Sequence, residues 1–436
     1  MTAPECHCTA ATSSAFTARG GLTYGLLGLP LAFVALPLYV ILPNHYAREF
    51  GVPLATLGAV LLGARLFDAV IDPLLGRLSD RLFARSTGAV LSFGAVAAVI
   101  LAIGFALLFF PLVKSPSALV PWATASLVVT YAAYSALSVS HQSWGAMLGG
   151  DEAQRSRIVA WREGLGLVGV VLASITPVAF GLPATTALFF IALTVGWLAW
   201  CRAPRPARLP ATSGIGQAAA RAVWLPFKQV DFRALLAVFL LNGIASAIPA
   251  TLVLFFIQDR LQAPARLEPL FLGSYFLCAA LSIPLWLAVV KRLGLARSWL
   301  LGMFLAIAVF GWASLVSAGD TTAFLLVCAL SGVALGTDLA LPGAMLAGVI
   351  QRAGQSGRAE GAYFGWWNFA TKLNLALAAG LALPLLGMFG YAPGARSAGA
   401  LDALVIAYCV LPCGLKLLAA GCLYLLIIRK QESALS

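Results

Sequence analysis

The chain has 436 residues, of which 61% are hydrophobic and only 10% are Asp, Glu, Lys or Arg, with a mean hydropathy of +0.94. A soluble domain carries about 25% charged residues, so a water-soluble enzyme is excluded and a lipid bilayer is the natural solvent. The net charge of +12 reads as the basic excess of cytoplasmic loops, not as a surface for nucleic acid.

Roughly 20 apolar residues cross the hydrocarbon core as a helix. Apolar runs bounded by charge, Pro or Gly predict helices near Leu22–Pro43, Leu54–Leu78, Gly88–Leu112, Val120–Met147, Ile158–Gly181 and Ala184–Trp200. Six more follow near Ala234–Ile257, Pro269–Val290, Ser298–Ser317, Thr321–Ile350, Ala362–Phe389 and Leu401–Ile428. Between the two groups lies CRAPRPARLPATSGIGQAAARAVWLPFKQVDFR, rich in Arg, Pro, Ala and Gly. The expectation is an all-α membrane protein with twelve transmembrane helices in two six-helix halves. Residues 1–200 form the first half, 201–233 a cytoplasmic central linker and 234–436 the second half, a layout of transporters. With the N-terminus inside, the inner segments hold eighteen Lys and Arg against five in the outer loops. That asymmetry puts both termini in the cytoplasm. Arg outnumbers Lys by 22 to 6, which points to a GC-rich bacterial genome and hence a bacterial inner membrane.

A charged side chain at mid-bilayer costs roughly 2.5–3.5 kcal/mol or more, so each one asks for a reason. The second helix carries Arg65, Asp68 and Asp72 in GARLFDAVIDPLLGRLSDR. At about 100° per residue, all three share one face. Two carboxylates one turn apart in low dielectric need a cation between them. Arg65 can neutralise one, and the other is left for a proton or metal cation, as a cation-coupled carrier requires. A salt-bridge knot fastening the helix to a neighbour is the alternative. Lys372, in WWNFATKLNLALAAG, has Asn368 one turn earlier; it either seeks Asp68 or Asp72, or snorkels to the interface.

In the fourth helix Tyr131, Ser135, Ser138 and Gln142 make a polar stripe, suited to a solute or to interhelical hydrogen bonds. Arg162 beside Glu163 either points into a central cavity or pairs at the cytoplasmic edge. Asp338 in GTDLALPG is a further embedded carboxylate, and Tyr131, Trp144 and Trp367 would suit solute stacking or simple packing. After the second helix, GRLSDRLFAR places Gly76, Asp80, Arg81 and Arg85 at a corner suited to a charge clamp at a cytoplasmic gate. The corner KRLGLARS after the eighth helix repeats the basic part without the Asp. The eight cysteines show no disulfide framework, and Cys6-His7-Cys8 stands in a polar tail without further ligands. With His7, His45 and His141 as the only histidines, no metal site is expected. No G-x-x-x-x-G-K-[ST] loop is present, so neither ATP nor another cofactor is expected.

The GRLSDRLFAR corner resembles the G-x-L-x-D-R-x-x-x-R motif of the major facilitator superfamily. More narrowly, RLFDAVIDPLLGRLSDR resembles the R-x-x-D-A-x-x-D-P-x-x-G signature of the glycoside–pentoside–hexuronide:cation symporter family (melibiose permease-like). The likeness extends through TYGLLGLPLAFVALPLYV, the R-x-R-x-x-x-W-R-E entry to the fifth helix, and AYFGWWNFATKLNLALAAGLALPLLGMFGY. The resemblance implies that Asp68 and Asp72 are cation-site carboxylates, Ser135 a hydroxyl ligand, Lys372 the lysine of that site, and Arg65 and Arg162 cavity arginines. It also shows departures. Leu29-Pro30 stands where the melibiose permeases have a sugar-binding Lys-Asp pair, Ser138 where they have an Asp, and Ile71 where sodium users have an Asn.

The sequence-based expectation is a monomeric secondary transporter working by alternating access. It couples H+, ahead of Na+, to symport of a small organic solute, a sugar or glycoside among the candidates. The solute set is Tyr131, Ser138, Gln142, Arg162, Asp338, Trp367 and Asn368. The alternative on the same fold is a proton-coupled carrier or exporter of a non-sugar metabolite or lipophilic compound.

Overall fold

The computed structural model describes residues 16–52, 54–113, 115–206, 223–389, 391, 394 and 396–433. Cys6-His7-Cys8, Lys114 and residues 207–222 of the 201–233 segment lie outside the described residues. The described residues form twelve long helical stretches: α1 Ala18–Leu36, α2 Leu54–Arg85, α3 Thr87–Phe109, α4 Ala118–Met147, α5 Glu152–Pro177, α6 Ala179–Cys201, α7 Val230–Arg260, α8 Glu268–Leu293, α9 Leu295–Ala313, α10 Thr321–Arg352, α11 Glu360–Met388 and α12 Ala398–Ser433. In hydrocarbon every backbone N–H and C=O must be satisfied within the segment, which is why long apolar runs become helices. Among the described residues, all but α2 and α11 are long and apolar enough to cross a membrane. Those two have 32 and 29 residues, about 48 and 43 Å at 1.5 Å per residue.

Caps, rather than charges, set the helix ends. Thr17 accepts from the Gly20 N–H at 3.2 Å, Ser86 from Ala89 at 3.0 Å and Asp151 from Gln154 at 2.7 Å. So α1 starts at Ala18 rather than Leu22, and α5 at Glu152 rather than Ile158. The polar first turn of α5, which a hydropathy reading treats as loop, is held helical by its Asp151 cap. Past Leu36, α1 continues through a π-helical stretch, Pro37–Ile41, into Leu42–Phe50. The predicted break between the fifth and sixth helices is a kink at Gly181 (φ 78°, ψ 172°), flanked by Pro177 and Pro183.

Packing pairs α1 with α5, α2 with α4 and α11, α8 and α9 with α10, and α7 with α11 and α12. One buried apolar cluster draws only on residues between Phe16 and Ala203. Two others draw on residues from Leu225 onward, apart from Val139. A fourth joins Ala160 and Leu167 of α5 to Ala279 and Ile283 of α8. The outer surface is apolar: on α2, Leu62, Leu66, Val70 and Leu74 form an exposed stripe at four-residue spacing, while Asp68 and Asp72 on the other side are buried. One end of the bundle gathers the start of α1, the α4–α5 and α8–α9 corners, and the end of α12. There Arg157 reaches the Phe16 carbonyl, Trp144 reaches the Pro204 carbonyl, and Arg297 pairs with Glu432. We call it the basal end.

Candidate functional site

Three helices meet around one group of charges. Asp68 and Asp72 sit one turn apart on the inner face of α2, immediately before Pro73, which removes a ladder donor from the helix. From α11, the Lys372 ammonium contacts Asp68 Oδ2 at 2.5 Å and Asp72 Oδ2 at 2.8 Å. From α4, the Ser135 hydroxyl donates to Asp68 Oδ1 at 2.7 Å and accepts from Lys372 Nζ at 2.8 Å. Both carboxylates are buried, with side chains 2% and 0% exposed, whereas Lys372 is 20% exposed. Lys372 is therefore more exposed than either carboxylate it bridges. The snorkelling alternative for Lys372 gives way to a bridge between two carboxylates at least 300 residues away in sequence. Lys372 meets the carboxylates that the sequence offers it as partners, while Arg65 lies against the Tyr131 phenol.

The polar stripe of α4 divides. Ser135 joins the charge cluster, while Gln142 donates to Ser138 Oγ at 3.0 Å. Arg162 places its fork on Glu163, with Nε at 2.9 Å and Nη2 on the same oxygen, and it lies near Tyr24. Asn368 is half-buried on α11, and Trp367 is buried with its ring stacked on Phe239 at 3.8 Å. Trp144 is no cavity aromatic: it is fully buried at the basal end, packed against Trp200 and bonded to the Pro204 carbonyl.

Asp338 belongs to a separate group that sequence reasoning did not assemble. Its Oδ1 accepts from Asn242 Nδ2 and Trp299 Nε1, both at 2.9 Å, and its Oδ2 from Ser246 at 3.0 Å and Lys416 at 3.1 Å. Lys416 also bonds Asn242 Oδ1 at 2.8 Å. Four donors from the protein itself satisfy this carboxylate, so it fastens α7, α9, α10 and α12 together and offers little to a solute. The signal was present: an embedded Lys416 and an embedded Asp338 each demand a partner of opposite charge.

At the basal end, Asp80 acts as a helix cap. Its Oδ1 accepts the Gly361 N–H at 2.6 Å and its Oδ2 the Ala362 N–H at 2.9 Å, the first turn of α11. A carboxylate there satisfies orphan amides and meets the positive end of the helix dipole. The approach needs glycine on both sides: a Cβ on Gly76 would lie 1.9 Å from the Gly361 carbonyl oxygen, and one on Gly361 would lie 2.0 Å from that of Gly76. Arg81 and Arg85 are exposed.

Residues 17–430 match the family described as MFS/sugar transport protein. The chain belongs to that family. It is 22% identical over 410 residues, 88% of this chain and 87% of the relative, to the uncharacterized symporter YjmB of Bacillus subtilis (strain 168). Over 153 residues, 35% of this chain and 33% of the relative, it is 26% identical to the putative glycoside/cation symporter YagG of Escherichia coli (strain K12). Among solved structures, a bacterial homologue of the iron transporter ferroportin in an outward-facing state superposes with a TM-score of 0.70 at 17% identity, covering 94% of this chain and 98% of the other. The Escherichia coli fucose:proton symporter FucP superposes at 0.67 with 13% identity, covering 93% and 99%. These likenesses establish the major facilitator fold. This MFS/sugar transport family member is thus a multi-pass membrane transporter, not an enzyme.

Proposed function

We propose that the protein couples the inward movement of H+ to symport of a small organic solute, a sugar or glycoside, across a bacterial inner membrane. The observation that carries this reading is the Lys372 ammonium held between two buried carboxylates of α2. A tethered cation occupies the position that a coupling ion would take, so ion binding must displace it and thereby loosen α11 from α2 and α4. Binding of ion and solute then favours the state that can turn over, each raising the other's affinity. All twelve long helices cross the membrane in this reading, and the chain acts as a monomer. Residues 1–200 and 234–436 rock about a central site while 201–233 connects them. The basic excess of the inner segments puts the basal end and both termini in the cytoplasm. Arg162, Tyr131, Ser138, Gln142 and Asn368 are the side chains assigned to the solute. The relatives named as symporters, one of them for glycosides, support this reading.

The test is uptake into proteoliposomes of labelled sugars, glycosides, organic acids and amino acids under an imposed pH gradient, preceded by a thermal-stabilisation screen of the same compounds. Accumulation of a sugar or glycoside against its gradient is the expected result. A second reading, a proton-coupled carrier of a non-sugar metabolite, is favoured by the apolar Leu29-Pro30 of α1. Accumulation confined to organic acids, amino acids or lipophilic compounds would replace the first reading by the second.

A further inference from the structure

The α9 helix begins without a cap of its own. Its N-cap is Gly294, at φ 79° and ψ 171°, which has no side chain to offer. The first amides of a helix have no internal acceptor and need one from elsewhere. Here it comes from α5: the Glu152 carboxylate accepts the Leu295 N–H at 2.8 Å, and a Cβ on Gly294 would press on Glu152 Oε2 at 3.0 Å. One turn further along α5, Arg155 Nη1 donates to Gln351 Oε1 of α10 at 2.5 Å and to the Gly150 carbonyl at 2.8 Å. Its guanidinium lies so close to Gly348 that a Cβ there would meet Nη2 at 3.0 Å. The neighbouring Asp151 is already committed to capping α5 itself, which leaves Glu152 for the longer reach.

This arrangement repeats the logic of Asp80 on α11 with the direction reversed. In the first contact the α2–α3 corner supplies the acid and α11 the amides. In the second, the α8–α9 corner KRLGLARS lacks the Asp and supplies the amide, while the acid comes from the facing helix α5. Both carboxylates belong to the first 200 residues, and both capped helices to the last 200. The two contacts therefore break in the same movement if the parts separate at the basal end.

We propose that Glu152 is a gate-positioning residue of the transport cycle, forming with Arg155 a second basal latch that closes and opens together with the Asp80 latch. This rests on the transporter reading above. The test is hydrogen–deuterium exchange on the full-length protein in lipid nanodiscs without solute, comparing wild type with Glu152→Ala, Glu152→Gln and Asp80→Asn. Glu152→Ala should speed exchange about tenfold not only at residues 294–297 but also at 348–352 and 361–362, because the latches open as one unit. Asp80→Asn should reciprocate at 294–297. Glu152→Gln keeps an acceptor oxygen and should stay within about threefold of wild type. Exchange at Thr87–Phe109 serves as the folding control; if Glu152→Ala fails it, Glu152→Asp, too short to reach Leu295, takes its place. Acceleration confined to residues 294–297 would reduce Glu152 to a local cap and overturn the proposal, as would no change at all. Uptake assays on Glu152→Ala and Asp80→Asn should show a lower maximal rate with KM unchanged, and Glu152→Gln should stay near wild type. Coupled exchange without any measurable uptake would leave the latch standing and count against the transport reading instead.

Discussion

Lys372 faces Asp68 and Asp72 across the boundary between α11 and α2, and removing it leaves two buried carboxylates without their shared cation in low dielectric. Breaking a buried pair by deleting one partner typically costs about 3–5 kcal/mol. Lys372→Met should therefore lower Tm markedly, and the deficit should narrow as the pH falls, since protons then replace the missing ammonium. A thermal-denaturation series from pH 8 to pH 5 checks this; a deficit that is the same at every pH would mean that Lys372 does not neutralise the pair. Asp72→Asn removes the charge while keeping the shape. It should abolish uphill uptake yet leave solute exchange, because exchange need not release the coupling ion. At Arg162, the guanidinium spends two donors on Glu163, a geometry that a lysine point charge cannot copy. Arg162→Lys should weaken solute binding about tenfold or more, the loss of roughly one charge-assisted hydrogen bond of 1.5–3 kcal/mol. Wild-type affinity in an equilibrium binding assay would make the Arg162–Glu163 pair purely structural.

The contact between α2 and α11 depends on Gly76 and Gly361 passing backbone to backbone, with Asp80 pinning the first turn of α11. Gly76→Ala puts a methyl group where the Gly361 carbonyl sits, so the two helices must part. Asp80→Asn keeps one acceptor but turns an amide NH2 toward the other backbone donor. Both variants should slow transport at least tenfold while solute affinity changes less than threefold, because the contact controls the population of one state and touches no ligand. Abolished binding in a folded Asp80→Asn variant would remove Asp80 from the gate. Much of this was legible in the amino-acid sequence. The spacing of Asp68 and Asp72 marked the inner face of α2, and GRLSDRLFAR marked the corner. Other features were hidden because they depend on which helix lies opposite. Hydropathy shows that Lys416 and Asp338 are both embedded, but not that α10 and α12 bring them within 3.1 Å. Nor does the weak acid content of KRLGLARS reveal that Glu152 completes it from α5. Helices also extend beyond their apolar runs where a polar first turn is held by a cap, as at Asp151.

Among the described residues, embedded charges of opposite sign gather together: Lys372 with Asp68 and Asp72, Arg162 with Glu163, and Lys416 with Asp338. A carrier in that condition gains one positive charge when it binds a coupling cation with a neutral solute, so an inside-negative potential should accelerate uptake. The donor set favours the proposal of a proton over sodium. Sodium needs several oxygens converging on it, yet the third helix at the cluster contributes an ammonium. A proton needs only one carboxylate oxygen, which Lys372 vacates when it moves aside. We therefore expect uptake driven by an inward pH gradient, and enhanced by a potassium diffusion potential that is negative inside. At constant pH a sodium gradient should have no effect. The decisive comparison is initial uptake rate in proteoliposomes under each gradient alone, with Asp72→Asn as the uncoupled control. Uptake that responds to sodium alone would require that Asp68, Asp72 and Ser135 assemble a complete oxygen cage once Lys372 withdraws, and the proton assignment would fall.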